Sequence, residues 1–262
     1  MKTRTLVILM IFSGLYIAKP FCCAAQEQLI YAHIADSYAE TSALSCFAPP
    51  YAGIHLRNDF GTKELMNAEL VGTYAIHKNY LMSSINHYGY ADYGNFLLSV
   101  GYGRNFGGHF AMSGHLLYMM EHARGYPVHH SLCVDFAIAG KISPKLFLFA
   151  TVHNPFLMRY GIVGQDIIPL MFTLGCTYVP ARKLLLSVTT IKTLPGGWEL
   201  NCRFMTQPIP SLLVAADCSN HYLGIWIALR HKQFLFSVKA AWHYRISISP
   251  EIGGYYYINE KT

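Results

Sequence analysis

The stretch QFLFSVKAAWHYR, Gln233 to Arg245, puts Phe234, Phe236, Val238, Ala240, Trp242 and Tyr244 at every second position, with Gln233, Ser237, Lys239, His243 and Arg245 among the residues between them. Successive side chains of an extended chain point to opposite faces, so a period of two describes a strand with one greasy and one wet face. Working outward, Leu223, Ile225, Ile227 and Leu229 alternate with Tyr222, Gly224, Trp226 and Arg230. Trp198, Leu200, Cys202 and Phe204 alternate with Glu199, Asn201 and Arg203, and Phe110, Met112, Leu116, Tyr118 and Met120 with His109, Ala111, Ser113 and His115.

A soluble sandwich alternates too, but its strands usually run nearer five or six residues and its large side chains face a dry core. The runs here are roughly nine to twelve residues long, enough to cross a bilayer when tilted. Their wet faces carry small residues, hydroxyls and isolated charges, as a barrel lumen does. The predicted fold is therefore all-β, a transmembrane antiparallel β-barrel. Strands are expected near 52–58, 65–76, 80–90, 94–104, 108–120, 129–139, 144–153, 169–178, 182–191, 197–205, 210–217, 221–230, 233–245 and 247–257, about fourteen, an even number as single-chain bacterial barrels require. Asn105, Gly107 and Gly108, then Pro180 to Arg182, then Pro195, Gly196 and Gly197 supply turn chemistry between them. The longest interruption, Asn154 to Ile168, is read either as an outside loop or as one folded inward as a constriction.

Over half of the residues are hydrophobic and 13% are charged, yet no stretch reaches the roughly twenty consecutive apolar residues of a spanning helix. Lipid offers the backbone no hydrogen-bond partner, so a membrane chain without such helices must close into a barrel. Lys2 and Arg4 precede the apolar run Thr5 to Ala18, with small residues at Cys23, Ala24 and Ala25. This reads as a secretory signal over 1–25. A segment over 26–50 follows, without sustained period and ending in Pro49 and Pro50; it is expected on the periplasmic side, and the barrel is expected to occupy 51–262.

The formal charge is +6, but the signal would remove Lys2, Arg4 and Lys19 and no acid, leaving 17 basic against 14 acidic residues. No basic run tracks a phosphate backbone, so nucleic acid is not an expected partner. Outer-membrane lipid is. Cys46, Cys133, Cys176, Cys202 and Cys218 are an odd, scattered set, a poor disulfide framework without zinc-site spacing. Cys176 and Cys202 fall on apolar faces and read as small buried hydrophobes.

Gly101 to Gly107 imitates a phosphate loop, but a strand follows it where a helix would be needed. His115, Glu121 and His122 have the letters of a zinc protease and not its spacing, and His129 and His130 point to opposite faces. Ser113 and His115 share a face without an identifiable third partner for a hydrolase. No enzyme activity, cofactor or metal is expected. The charges predicted by parity to face the lumen are Glu69, Asp135, Glu199, Arg203, Asp217, Arg230, Lys239 and Arg245, because a lipid-facing charge near the midplane costs about 2–4 kcal/mol. They make either a salt-bridged plug or a substrate path.

Several short motifs occur in one order: Asn58-Asp59-Phe60-Gly61-Thr62-Lys63-Glu64-Leu65, Asn86-His87-Tyr88-Gly89-Tyr90, Gly101 to Gly107, and His153-Asn154-Pro155 with Pro169 beyond. In this order the chain from about Pro50 onward resembles the PorV/PorQ-type outer-membrane proteins, within the superfamily of FadL-like fatty-acid transporters. The resemblance implies a fourteen-stranded barrel with an N-terminal hatch, and a non-enzymatic part in type IX secretion, holding or passing exported or surface proteins at the outer membrane. The alternative it leaves is a FadL-like channel for hydrophobic small molecules. The chain departs from the family in a shortened hatch stretch around Ser42-Ala43-Leu44. Past Tyr257 it runs on through Asn259-Glu260-Lys261-Thr262, so Tyr255 and Tyr257 are the residues expected to supply a terminal aromatic signal.

Overall fold

A computed structural model describes residues 26–36, 42–62, 64–159, 168–244 and 247–258. The predicted signal over 1–25 and the charge at Arg245 lie outside the described residues.

The described residues form fourteen strands in succession: β1 Tyr51–Asn58, β2 Met66–Ile76, β3 Asn79–Gly89, β4 Tyr93–Phe106, β5 Phe110–Ala123, β6 His129–Ser143, β7 Leu146–His153, β8 Leu170–Ala181, β9 Leu184–Leu194, β10 Trp198–Ile209, β11 Leu212–Ser219, β12 Tyr222–His231, β13 Phe234–His243 and β14 Ile248–Tyr257. Each pairs antiparallel with its sequence neighbours, and β1 closes on β14 from Tyr51 opposite Tyr257 to Arg57 opposite Glu251. Closure leaves no strand edge, which is what lipid demands of a sheet.

Parity is obeyed as predicted. Phe234, Phe236, Val238 and Trp242 are exposed on the outer wall, while Leu235, Ser237 and Ala241 are buried inside. Outward aromatics gather toward both rims: Tyr102, Phe106, Phe110, Phe234 and Tyr256 at one, and Trp198, Trp242 and Tyr244 at the other. Such girdles suit membrane interfaces. No described helix is long and apolar enough to cross a membrane.

The two rims differ. One carries two- or three-residue turns, including Gly107 and Gly108 at φ 67 and 78, where a side chain would be strained. Pro180 is not in a turn but inside β8, at a register shift between Tyr178 and Ala181, where the ladder does not need its missing N–H. The opposite rim has the longest connections, 59–65 and 154–169. The described flanks of the second fold inward: Asn154 is fully buried, its Nδ2 donating to the carbonyls of Met158 and Ile168, and Ile168 packs with Leu117, Met119 and Cys133.

One sequence-based expectation is corrected by facing. Cys202 is exposed on the outer wall and not buried, because the apolar face of a membrane barrel is its outside. Tyr255 and Tyr257 point into the lumen, each 2 % exposed, and their neighbour Tyr256 faces out.

The lumen holds the described residues that precede β1, 26–36 and 42–50. A helix over 26–36 (α1) enters at the short-turn rim, where Gln26 Nε2 donates to Pro144 O at 3.0 Å and Gln207 Nε2 donates to Gln28 Oε1 at 2.8 Å. It climbs past Thr177, 3.1 Å from His33 Nε2, to Asp36 near mid-barrel. A 3-10 helix, Ser42–Phe47, returns toward the same rim: Ser42 and Ser113 share a hydroxyl hydrogen bond at 3.0 Å, and Asn105 Nδ2 donates to Cys46 O at 2.8 Å. Gly103 makes room for this limb, since a Cβ there would lie 2.7 Å from Cys46 Sγ. Leu29, Ile34 and Leu44 are at most 1 % exposed and share one apolar core with Leu185, Met205, Leu213 and Trp226 of the wall. Burial of each such side chain contributes about 1.5–3 kcal/mol.

Candidate functional site

Above the apolar packing, a layer of charge lines one side of the lumen at the level of Asp36. Arg203 and Asp217 are direct cross-strand partners on β10 and β11. Their side chains form a two-pronged pair, Nε to Oδ1 at 2.6 Å and Nη2 to Oδ2 at 2.9 Å, a geometry the planar guanidinium matches. The same guanidinium turns Nη1 to Asp36 Oδ2 of the helix, 2.7 Å away. Lys239, two strands along on β13, reaches Asp217 Oδ2 at 3.2 Å. Its cross-strand partner on β12 is Trp226, whereas that of Asp217 is Gly224, so the Lys239 side chain reaches Asp217 diagonally across β12.

The layer continues across the closing seam. Lys239 faces Glu251 in register, and His55 Nδ1 lies 3.0 Å from Glu251 Oε1 while its Nε2 hydrogen bonds to the Tyr255 hydroxyl. Glu69 is the cross-strand partner of His55. Asp36, Arg203, Asp217, Lys239, Glu251, His55 and Glu69, with Arg57, Asn67, Asn86, Asn201 and Tyr222, line a cavity of about 330 Å³. A second cavity of about 220 Å³ shares Arg57, Tyr222, Lys239 and Glu251 with it and extends to Asp59, Phe60 and His243, toward the long-loop rim.

Electrostatics follow from burial. The Asp36 side chain is 2 % exposed; burial alone would raise its pKa, but Arg203 and Lys239 outweigh burial and hold it below the usual carboxylate range. Its Oδ1 is buried and has no hydrogen-bond partner among the described residues. His33, one turn back, is fully enclosed; burial first and Arg203 second push its pKa down to about 3, so the imidazole is neutral.

Of the eight charges predicted to face the lumen, Arg203, Asp217 and Lys239 meet in one cluster and Glu69 lines the same cavity. Glu199 is half-buried on the same face of β10, nearer the long-loop rim. Arg230 lies over the Tyr257 ring at 5.4 Å, near the short-turn rim. Asp135 belongs to another group on β6 and β7, 2.6 Å from His153 Nδ1. Sequence reasoning missed Asp36, His55 and Glu251. Parity along β1 and β14 would have found the last two, whereas Asp36 sits in a stretch with no period to read. Ser113 bonds to Ser42, and His115 Nδ1 lies 3.1 Å from Ser99 Oγ, so the serine and histidine of that strand serve different partners.

Asp36, His55 and Glu251 bring one ligating atom each within 4.8 Å of one another, but Arg203 and Lys239 stand beside them and oppose a cation. On the outer wall behind Arg203 and Asp217, the small residues Cys202, Ala216, Cys218, Gly224 and Ala240 leave an apolar groove of about 760 Å³ flanked by Phe204, Ile225 and Trp242.

No protein-family model and no curated protein matches the chain. Solved structures do. The CymD monoaromatic hydrocarbon channel is 6% identical at a TM-score of 0.62, over 87% of this chain and 94% of that one. The Pseudomonas putida toluene transporter TodX is 8% identical at 0.58, over 84% and 91%. A Pseudomonas aeruginosa FadL homologue is 8% identical at 0.63, over 85% and 94%. At these identities the likeness is one of fold alone, a closed antiparallel β-barrel.

Proposed function

We propose that the chain is an outer-membrane channel, not an enzyme, with the short-turn rim in the periplasm and the N-terminal segment as its hatch, and that it admits small molecules combining a hydrophobic body with an acidic group. Single-chain bacterial barrels place short turns in the periplasm and longer loops outside. The neighbours are channels whose names speak of monoaromatic hydrocarbons and toluene, which favours a small hydrophobic body. The chamber favours a charge.

The observation that carries this reading is the Asp36 carboxylate on the Arg203 guanidinium at the foot of the cavity. A carboxylate already occupies the cation there, so a ligand carboxylate entering from the long-loop side competes with Asp36 for the same donors. A pure hydrocarbon gains about 0.8 kcal/mol per buried methylene only where apolar surface receives it, and the cavity walls are mostly polar.

A part in type IX secretion rests on the short-motif resemblance alone. The two roles separate in one experiment. Proteoliposomes carrying the purified protein are expected to take up an aromatic carboxylate saturably and its neutral amide much more slowly, with Lys239→Met reducing the difference. Equal uptake of both compounds, or none, would overturn the ligand class. Stoichiometric co-purification of an exported protein after gentle extraction, without uptake, would return the secretion role to first place.

A further inference from the structure

We propose that Cys133, Asp135 and His153 form a binding site for one zinc-like divalent transition-metal ion in the lumen wall, at the root of the β7–β8 connection. Cys133 and Asp135 are two apart on β6 and share its inner face, and His153 is the cross-strand partner of Asp135 on β7. Two residues at i and i+2 and a third on the adjacent strand converge on one point, because the pleat aims all three the same way. Their ligating atoms lie within 4.8 Å of one another, with Cys133 Sγ 3.9 Å and His153 Nδ1 2.6 Å from Asp135 Oδ1.

The donor set selects the ion. Sulfur, imidazole nitrogen and carboxylate oxygen together suit zinc and its neighbours, whereas magnesium and calcium take oxygen. Three protein ligands leave one position for water or a ligand, as in zinc sites that stay open. Charge balances as well: thiolate and carboxylate against a dication sum to zero, which a partly dehydrated wall tolerates far better than a bare ion. On binding, the Cys133 thiol proton leaves to solvent and sulfur takes up the metal bond. The imidazole moves its proton to Nε2 to free Nδ1, and the His153–Asp135 hydrogen bond gives way to two metal bonds. The net change is one proton released per ion.

The surroundings hold the ligands in place. Asn154 N donates to Asp135 Oδ1 at 3.4 Å, the Asn154 side chain ties Met158 to Ile168, and Ile168 packs with Cys133. An ion here would therefore stiffen the base of the longest connection. The lumen trio of Asp36, His55 and Glu251 is the weaker candidate, since it faces Arg203 and Lys239. Sequence spacing hid the stronger one because its ligands meet across a hairpin.

Cobalt(II) titration of the full-length protein in detergent is the test. The expected result is one equivalent bound with the near-ultraviolet charge-transfer band of a cobalt–thiolate bond, one proton released, and displacement by zinc. Cys133→Ser should abolish the band and His153→Gln, which removes a ligand, should weaken binding by more than the roughly 10–100-fold that loss of an outer-shell partner costs, each variant being checked for folding by its faster migration on unheated gels. Cys202→Ser with Cys218→Ser should leave the band unchanged. Absence of the band in folded protein, its persistence in Cys133→Ser, or its loss only when Cys202 and Cys218 are removed would overturn the site.

Discussion

Asp36 Oδ2 and Arg203 Nη1 lie 2.7 Å apart, an ion pair joining the inserted N-terminal segment to the barrel wall through a guanidinium that also grips Asp217. Desolvation offsets much of what a buried pair gains by attraction, while Leu29, Ile34 and Leu44 each contribute about 1.5–3 kcal/mol by burial. Packing therefore retains the segment, and the ion pair sets its depth and register.

Removing the two partners should have unequal effects. Arg203→Ala leaves Asp36 and Asp217 buried without their guanidinium and is expected to cost about 3–5 kcal/mol. Asp36→Asn leaves Arg203 its two bonds to Asp217 and should barely move the thermal unfolding of the barrel, while exposing the segment to protease and raising single-channel conductance. Unchanged protection and conductance in Asp36→Asn would show that the pair does not position the segment.

Acid should loosen the segment. His33 is pushed down to about 3 inside the barrel and has a pKa near 6.5 when free, so between those values the released form binds more protons. Its contribution is full above about pH 6.5 and falls as pH drops toward 3. Asp36, also held below its free value, loses its contribution in the same direction at lower pH. Protection factors over 26–36, taken against the intrinsic amide exchange rate at each pH, should fall from pH 7 to pH 4, and less so in His33→Gln. Protection that stays constant or rises with acid would contradict both assignments.

Facing is tested by a matched pair. Val238 is 59% exposed on the outer wall, and Val238→Arg should destabilise the folded barrel by about 2–4 kcal/mol if it lies near the midplane. Asn86→Arg, into the polar cavity, should cost clearly less. Ser237 is a poor control for this purpose, because its hydroxyl already abuts Gly253, where a Cβ would come within 2.6 Å. Equal losses at Val238 and Asn86 would argue against lipid outside the wall.

Gly103→Val should dislodge the return limb without opening the barrel. The added side chain collides with Cys46 Sγ and Met82 Cε, each 2.7 Å from its Cβ, whereas the outer wall is untouched. Heat-modifiable migration should survive and conductance should rise. Loss of migration together with conductance would mean that the segment is needed for the barrel to close.

Facing and strand number are legible in the sequence because the pleat is local: residues two apart share a side whatever the strand pairs with. That is why alternation alone places Arg203, Asp217 and Lys239 in the lumen and locates all fourteen strands. The return of 42–47 down the lumen, the fit of Cys46 against Gly103, and the diagonal reach of Lys239 across β12 to Asp217 leave no periodic trace.

The sequence by itself determined a membrane barrel with an apolar outside and a charged inside, since hydrophobic alternation expresses only the solvent on each side of a strand. Tertiary structure alone decided which of those charges meet. Register around a closed wall brings Glu251 of β14 to His55 of β1, strand pairing brings Cys133 of β6 to His153 of β7, and insertion of an aperiodic segment brings Asp36 to Arg203. Each of these contacts depends on how separate segments pair and close in space, which no local pattern records.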